Sequence, residues 1–176
     1  MQLATCLFHA QIAAFDDGHG IQALVLVPTR ELAAQVGEQV QLLSPAQPPR
    51  TLIVFGGTGI GANLRELKRG VDIVVGTPGR ILDLIQRGAL DLRGVKLAVL
   101  DEVDRMLDIG FRDDIRRIMS HVAGGRQTIF VSATMTAEIR RLAHGLMRDP
   151  VEIMFVGQDD DSDLEMYPWN GSSWGS

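Results

Sequence analysis

The sequence has few of the residues that would support several classes of protein. Among its 176 residues Cys6 is the only cysteine, so an internal disulfide is impossible and a cytosolic setting is the simplest interpretation. No apolar run approaches the roughly 20 residues that a membrane-spanning helix needs. Residues 1–15 lack the basic leading segment of a secretory signal. We therefore expect an intracellular protein, cytoplasmic or nuclear, that is neither secreted nor bound to a membrane.

An excess of positive charge is also missing. Lys and Arg number 17 against 22 Asp and Glu, which gives a formal net charge of −5. This balance argues against a protein that binds nucleic acid with its whole surface, although it leaves room for a local basic groove.

The residues that are present alternate short apolar runs with helix-like segments. Strands are predicted over residues 23–27, 51–55, 71–75, 96–100, 128–131 and 151–156. Helices are predicted over residues 3–14, 30–43, 62–69, 80–87, 111–122 and 137–147. This alternation predicts parallel β-α-β units and an α/β, doubly wound parallel sheet spanning residues 1–156. Residues 157–176 are acidic and then rich in Gly, Ser and Trp, which predicts a linker or a disordered tail.

Polar or glycine-rich segments follow five of the six predicted strands. They are Pro-Thr-Arg-Glu at 28–31, Gly-Gly-Thr-Gly at 56–59, Gly-Thr-Pro-Gly-Arg at 76–80, Asp-Glu-Val-Asp at 101–104 and Ser-Ala-Thr at 132–134. Ligands of open parallel sheets bind beyond the carboxyl ends of the strands. The sequence therefore predicts that these five segments converge on one functional edge of the sheet.

The acidic pair Asp101-Glu102 follows an apolar run, which is the arrangement of a Walker B site. The first carboxylate can hold Mg²⁺, usually through water, because Mg²⁺ prefers oxygen ligands. The second can orient and deprotonate a water molecule during phosphoryl transfer. A solvated helix start explains the same two acids equally well, because Asp and Glu favour the first turn of a helix.

Two segments pair a threonine with an arginine at a predicted helix start. Thr29-Arg30 and Thr77-Pro-Gly-Arg80 are suited to gripping phosphate, since free N–H groups at a helix start favour anions and arginine adds charge-assisted hydrogen bonds. Helix capping by the threonines is a second interpretation, and it is compatible with the first. Gly56-Gly57 would let a ligand approach the backbone closely, but an ordinary turn explains it as well.

Other ligand sites are less well supported. Glycines at 57, 59 and 61, with Ala62, approximate a dinucleotide-binding loop, but the acid expected about 20 residues later is matched only by Asp83, on a predicted helix. The four histidines have no metal-ligand spacing, and Cys6 is expected to pack in an apolar helix.

Taken together, the ordered motifs resemble a known family. Residues 28–33 (PTRELA), Gly56-Gly57, 77–80 (TPGR), 101–111 (DEVDRMLDIGF) and 132–134 (SAT) occur in the order and spacing of the first RecA-like core domain of DEAD-box ATP-dependent RNA helicases. The resemblance covers about residues 20–156. It implies the RecA-like P-loop NTPase fold, RNA as a partner, and ATP and Mg²⁺ as cofactors.

The resemblance also implies roles for individual residues. Asp101 would serve Mg²⁺, Glu102 would activate water, and Asp104 with Ser132 and Thr134 would couple the nucleotide state to RNA binding. The residues implied to hold the sugar-phosphate backbone of one RNA strand, independently of its sequence, are Pro28, Thr29, Arg30, Gly56, Gly57, Thr77, Gly79 and Arg80.

The sequence departs from the family pattern in three ways. Val103 replaces the alanine of the motif, and the 176 residues contain neither the Gly-x-x-x-x-Gly-Lys-[Ser/Thr] phosphate loop nor a second RecA-like domain. We therefore expect a sheet without its P-loop strand and a truncated chain that begins just after the place of that loop. Residues 129–131 would then form an exposed strand edge that favours poor stability or self-association.

The resulting expectation is a fragment of an enzyme that couples RNA-stimulated ATP hydrolysis to local RNA unwinding, inactive as an isolated chain. Two alternatives stay open. One is a non-catalytic remnant that binds RNA or a protein, and the other is a related superfamily 2 helicase that acts on DNA.

Overall fold

The computed structural model describes residues 20–43, 48–154 and 165–167. They fall into two compact units, which divide between Thr136 and Ala137. The predicted helix at 3–14 lies outside the described residues, and the predicted domain extent of 1–156 stays a prediction. None of the helices in the described part of the chain has the length and hydropathy that a membrane crossing requires.

The first unit contains a five-stranded parallel sheet in the described residues. The strands are β1 Ala23–Leu26, β2 Thr51–Val54, β3 Ile73–Gly76, β4 Leu97–Leu100 and β5 Gln127–Phe130. Their order is β2-β3-β1-β4-β5, and every neighbouring pair is parallel. The α/β parallel sheet predicted from the apolar runs is confirmed, with strand ends that shift by one or two residues.

Five helices accompany this sheet in the described residues. They are α1 Arg30–Leu43, α2 Ile60–Arg69, α3 Pro78–Gln86, α4 Val103–Ile109 and α5 Arg112–Ser120. The first of these helices, α1, has the bounds that were predicted, residues 30–43. By contrast, α4 was not predicted, because seven residues with only Val103 and Met106 buried are too short to show a helical period.

The core lies against strands that are buried on both faces. Alternate residues Ala23, Val25 and Val27 belong to one buried cluster together with side chains of α1 such as Leu32 and Val40. The intervening Leu24 and Leu26 are fully buried as well. Continuous burial of this kind is typical of parallel strands covered by helices on both sides, and it explains the uninterrupted apolar runs in the sequence.

Strand β5 is the edge of the sheet in the described part of the chain, where it pairs with β4 alone. Its residues Ile129 and Phe130 are half-buried, whereas every residue of β4 is buried. The expected self-association of this edge stays a prediction.

The second unit contains α6 Ala137–Leu146, β6 Glu152–Met154 and β7 Glu165–Tyr167. Strand β6 pairs antiparallel with β7 in a separate two-stranded sheet, so the expectation of another parallel β-α-β strand was wrong here. The pairing also gives residues 165–167 of the acidic tail a regular structure, which its composition did not indicate. A two-pronged ion pair between Arg140 and Glu152 (3.1 and 3.2 Å) joins α6 to β6.

Candidate nucleotide and nucleic-acid site

Hydrogen bonds at the carboxyl ends of the strands bring the five polar segments to one edge of the sheet. Val27 N donates to Gly76 O (3.0 Å), Thr77 N to Val54 O (3.1 Å) and Asp101 N to Leu26 O (2.9 Å). Val131 N donates to Leu100 O (2.8 Å), which adds the segment after β5. Parallel pairing in this register places every one of the five segments on the same side, as the sequence predicted.

The segment after β1 begins with a capped helix. The Oγ1 atom of Thr29 accepts a hydrogen bond from Leu32 N at 3.2 Å, which is the N-cap arrangement. The exposed guanidinium of Arg30 lies 5.7 Å from the centroid of the Phe55 ring, close enough for a cation–π contact, and 3.5 Å from a carboxylate oxygen of Glu31. Pro28 is buried, so its side chain does not reach the surface.

The segment after β2 forms an open turn. Gly57 has a φ of +85°, a left-handed conformation that favours glycine, and the hydroxyl of Thr58 donates to Phe55 O at 3.2 Å. A Cβ atom built on Gly56 or Gly57 would meet no other heavy atom within 4 Å. The turn therefore exposes its backbone to an approaching ligand.

The segment after β3 begins α3. Thr77 is the N-cap residue but makes no side-chain cap hydrogen bond, unlike Thr29, and Pro78 follows in the first turn. A Cβ atom on Gly79 would also meet no atom within 4 Å. Arg80 Nη2 donates to the carbonyl oxygen of Thr58 (2.7 Å), and Nη1 donates to Asn63 Oδ1 (3.1 Å). This arginine therefore ties the third segment to the second.

The acidic pair after β4 has two different environments. Asp101 is 7% exposed, and its Oδ1 atom accepts a hydrogen bond from Glu102 N at 2.9 Å. Burial raises the pKa of Asp101, the hydrogen bond from Glu102 N opposes that rise, and the charges of Glu102 and Asp104 add to it. Glu102 has a left-handed φ of 51°, and its half-exposed carboxylate lies 3.3 Å from Arg105 Nη1.

Val103, the departure from the family motif, packs into the core. Its side chain is fully buried, and its backbone N–H donates to Val131 O at 3.0 Å. Its two additional methyl groups are therefore accommodated in the interior of this unit.

A carboxylate joins the segments after β4 and β5. The Oδ2 atom of Asp104 accepts hydrogen bonds from the backbone N–H and the hydroxyl of Thr134, both at 3.1 Å. The hydroxyl of Ser132 donates to Thr134 O at 2.8 Å. Burial would raise the pKa of Asp104, but hydrogen bonds from Arg105 N and from the N–H and hydroxyl of Thr134 outweigh it and lower the pKa. The structure thus brings together the three residues that the resemblance grouped.

Comparison with known proteins identifies the group to which this architecture belongs. The family model described as DEAD/DEAH box helicase matches residues 3–142. The chain belongs to the DEAD/DEAH box helicase family. Membership confirms the resemblance drawn from the motifs, since the match contains all five segments.

Individual relatives agree with this assignment. The chain is 48% identical over 138 residues to DEAD-box ATP-dependent RNA helicase 9 of Oryza sativa subsp. japonica, covering 78% of this chain and 22% of that protein. It is 42% identical over 172 residues to DEAD-box ATP-dependent RNA helicase 9, mitochondrial, of Arabidopsis thaliana, covering 94% of this chain and 28% of that protein. This DEAD-box chain therefore spans about a quarter of the length of these relatives.

A solved structure shares the fold. A DEAD box protein from the hyperthermophile Methanococcus jannaschii superposes with a TM-score of 0.78 at 40% identity, covering 83% of this chain and 40% of that one. The likeness confirms the RecA-like α/β fold predicted from the motifs.

Two contacts of this DEAD-box site were missed in the sequence. Asn63 interrupts the row of apolar residues at 60, 64 and 67 on α2, and a polar residue on an inward helical face is a signal that could have been noticed. The stacking of Arg30 on Phe55 has no comparable signal, because it joins residues from different β-α units.

Proposed function

We propose that this chain supplies the RNA-backbone surface and the Mg²⁺- and water-handling acids of an ATP-dependent RNA helicase. The observation that supports this most is the convergence of five polar segments on one edge of a parallel sheet. In such an enzyme, RNA-stimulated ATP hydrolysis drives local strand separation. A second RecA-like domain is the partner expected to close over this edge.

The RNA surface combines open backbone with arginine and threonine. The residues proposed to contact the ribose-phosphate backbone are Thr29, Arg30, Gly56, Gly57, Thr77, Gly79 and Arg80, with Pro28 contributing its backbone only. Gly56, Gly57 and Gly79 have open space at the Cβ position, so an RNA strand can approach the backbone closely, and guanidinium groups attract its phosphates. Backbone contacts carry little sequence information, so binding is expected to be independent of RNA sequence.

Fluorescence anisotropy with two unrelated single-stranded RNAs tests this surface. Arg30→Ala is expected to weaken binding to both RNAs alike and to reduce the slope of log K against log salt by about 0.7, the loss of one phosphate contact on a single strand. Arg93→Ala is the matched control, because it removes the same charge from a surface pair with Asp91 that precedes β4. A loss confined to one RNA sequence, or an equal loss from Arg93→Ala, would refute the proposal. A DNA strand of matching sequence tests the alternative of a DNA helicase.

The acidic pair fits the catalytic half of the proposal. Asp101 and Glu102 are oxygen ligands of the kind that Mg²⁺ accepts beside nucleotide phosphates. Mg²⁺, when bound with ATP, would neutralise charge on the phosphates. Asp101 would hold the ion through water, and the more exposed Glu102 would accept a proton from the attacking water. In the described residues no group of three or more His, Cys, Asp or Glu side chains is arranged to hold a metal ion.

The contacts of Asp104 suggest how the nucleotide state could be coupled to RNA binding. One carboxylate holds the segment after β5 by two hydrogen bonds to Thr134, directly beside the acidic pair. A shift of the acids on nucleotide binding would pull on this segment. We propose that Asp104, Ser132 and Thr134 transmit such a shift.

The phosphate-loop pattern does not occur in these residues. We therefore propose that the chain by itself does not hydrolyse ATP, since the usual backbone cradle and lysine for a triphosphate are not among them. An ATPase assay with and without RNA tests this, and RNA-stimulated turnover that disappears in Glu102→Gln would contradict it. A non-catalytic remnant that binds RNA or a protein is the second candidate. An in-frame Gly-Lys-Thr loop in the genome immediately before Met1 would rule it out.

A further inference from the structure

Asn63 on α2 is a buried amide with a specific partner. It is 8% exposed, and with Gln22 and Asp101 it makes up the buried polar or charged residues in the described part of the chain. A buried amide costs free energy unless it is hydrogen-bonded. Its Oδ1 atom accepts from Arg80 Nη1 at 3.1 Å, across 17 residues of sequence.

The guanidinium of Arg80 carries this contact onward to the Gly56-Gly57 turn. Its Nη2 atom donates to Thr58 O at 2.7 Å, while the hydroxyl of Thr58 donates back to Phe55 O at 3.2 Å. Thr58 therefore fixes the end of the turn in two ways: its carbonyl oxygen is bound by Arg80, and its hydroxyl closes the turn onto Phe55. Arginine provides five N–H donors in a rigid fork, so two can hold protein while others stay available to a phosphate.

The outer side of the turn has no comparable support. Apart from the glycine itself and its two chain neighbours, no residue places a heavy atom within 4 Å of the Cβ position at Gly56 or Gly57, and Gly57 is in a left-handed conformation. Glycine loses more conformational freedom on ordering than any other residue. A turn that is already held before RNA arrives loses less freedom on binding and so binds more tightly.

We propose that Asn63 is a positioning residue for the RNA interface, which orients the Arg80 guanidinium and through it holds the Gly56-Gly57 turn ready for a ribose-phosphate backbone. Asn63 does not itself contact RNA. The inference rests on the proposed function, and it adds a residue outside the five polar segments to that interface.

Substitution of Asn63 in the full chain tests this role. Asn63→Leu keeps the number and branching of the side-chain heavy atoms and removes the acceptor, and we expect the Kd for a single-stranded RNA to rise about tenfold. Asn63→Gln keeps an amide oxygen and should recover most of the affinity. The matched control is Gln22→Leu, because Gln22 is another buried amide that accepts from a basic side chain, Lys96 Nζ at 3.1 Å, and lies before the amino end of β1. It should leave the Kd unchanged.

A second variant avoids the buried position. Arg80→Lys keeps the positive charge but not the fork, so it cannot bridge Asn63 and Thr58 together. We expect it to weaken RNA binding at least as much as Asn63→Leu does, because the fork's own phosphate contact is lost too, and the double variant to be no weaker than Arg80→Lys alone. Additive losses, or wild-type affinity in either single variant, would overturn the proposal.

Backbone ¹⁵N order parameters of the RNA-free chain separate this inference from the proposed function. They should fall at Gly56 and Gly57 in Asn63→Leu and stay unchanged in Gln22→Leu. Unchanged values in Asn63→Leu would show that Asn63 does not hold the turn, whatever the RNA result. Failure of the wild-type chain to bind RNA would instead refute the proposed function. The order parameters would still decide whether the contact between Asn63 and Arg80 orders the turn.

Discussion

Gly76, the last residue of β3, is the position where the sheet tolerates a side chain least. It pairs with Leu26 of β1 on one side and with Val54 of β2 on the other. A Cβ atom at this position would collide with the carbonyl oxygen and Cγ2 of Val54. That oxygen also accepts a hydrogen bond from Thr77 N at 3.1 Å, so it cannot move away without weakening the bond.

The expected cost of Gly76→Ala follows from these contacts. Forcing a methyl group into packed surroundings costs about 1–3 kcal/mol, and a lost backbone hydrogen bond adds about 1 kcal/mol. We therefore expect the free energy of unfolding to fall by about 2–4 kcal/mol, a large fraction of the roughly 5–15 kcal/mol available to a typical domain. The substitution should also disturb the segments after β2 and β3, because both leave the sheet at this point.

Urea unfolding followed by far-ultraviolet circular dichroism measures the effect. With a slope of about 2 kcal/mol per molar urea, the midpoint should fall by about 1–2 M. Gly79→Ala is the control: it lies three residues further on, in the first turn of α3, where a Cβ atom meets nothing within 4 Å. It should be neutral or stabilising by up to about 1 kcal/mol. A Gly76→Ala midpoint equal to that of wild type or of Gly79→Ala would refute the steric reasoning.

Three further predictions follow from the carboxylates. Hydrogen bonding from Arg50 lowers the pKa of Asp72 in the fold. The ionised Asp72 therefore stabilises the fold above the ordinary aspartate pKa of about 3.9, and this stabilisation is lost as the pH falls below that value. Asp72→Asn should remove this dependence on acid and lower the free energy of unfolding at neutral pH by about 1 kcal/mol, as measured by thermal unfolding. Burial raises the pKa of Asp101, so ionisation of this side chain destabilises the fold as the pH rises. Asp101→Asn should therefore unfold at a higher urea concentration than wild type at pH 7. An equal increase in the urea midpoint at pH 3, where Asp101 is mostly protonated, would contradict this cause. Thr134→Val removes one of the two hydrogen bonds from Thr134 to Asp104 and should cost about 1 kcal/mol by urea unfolding. The loss should vanish in an Asp104→Ala background, which has no acceptor for the hydroxyl.

The sequence by itself determined the sheet and the location of the site. Short apolar runs such as Ala23–Leu26 are buried on both faces, and only a parallel sheet covered by helices on both sides buries every residue of a strand. Once the strands are parallel, their carboxyl ends share one edge. The convergence of Arg30, Arg80 and Asp101 therefore followed from local patterns and connectivity.

Only the tertiary structure decided which side chains meet across that edge. The contacts of Arg80 with Thr58 and Asn63 span 22 and 17 residues, and that of Thr134 with Asp104 spans 30. Sequence spacing places residues on the faces of one element, but such contacts depend on how separate β-α units pack. The pairing of β6 with a strand of the tail and the left-handed backbone of Glu102 belong to the same group, since neither leaves a local signal.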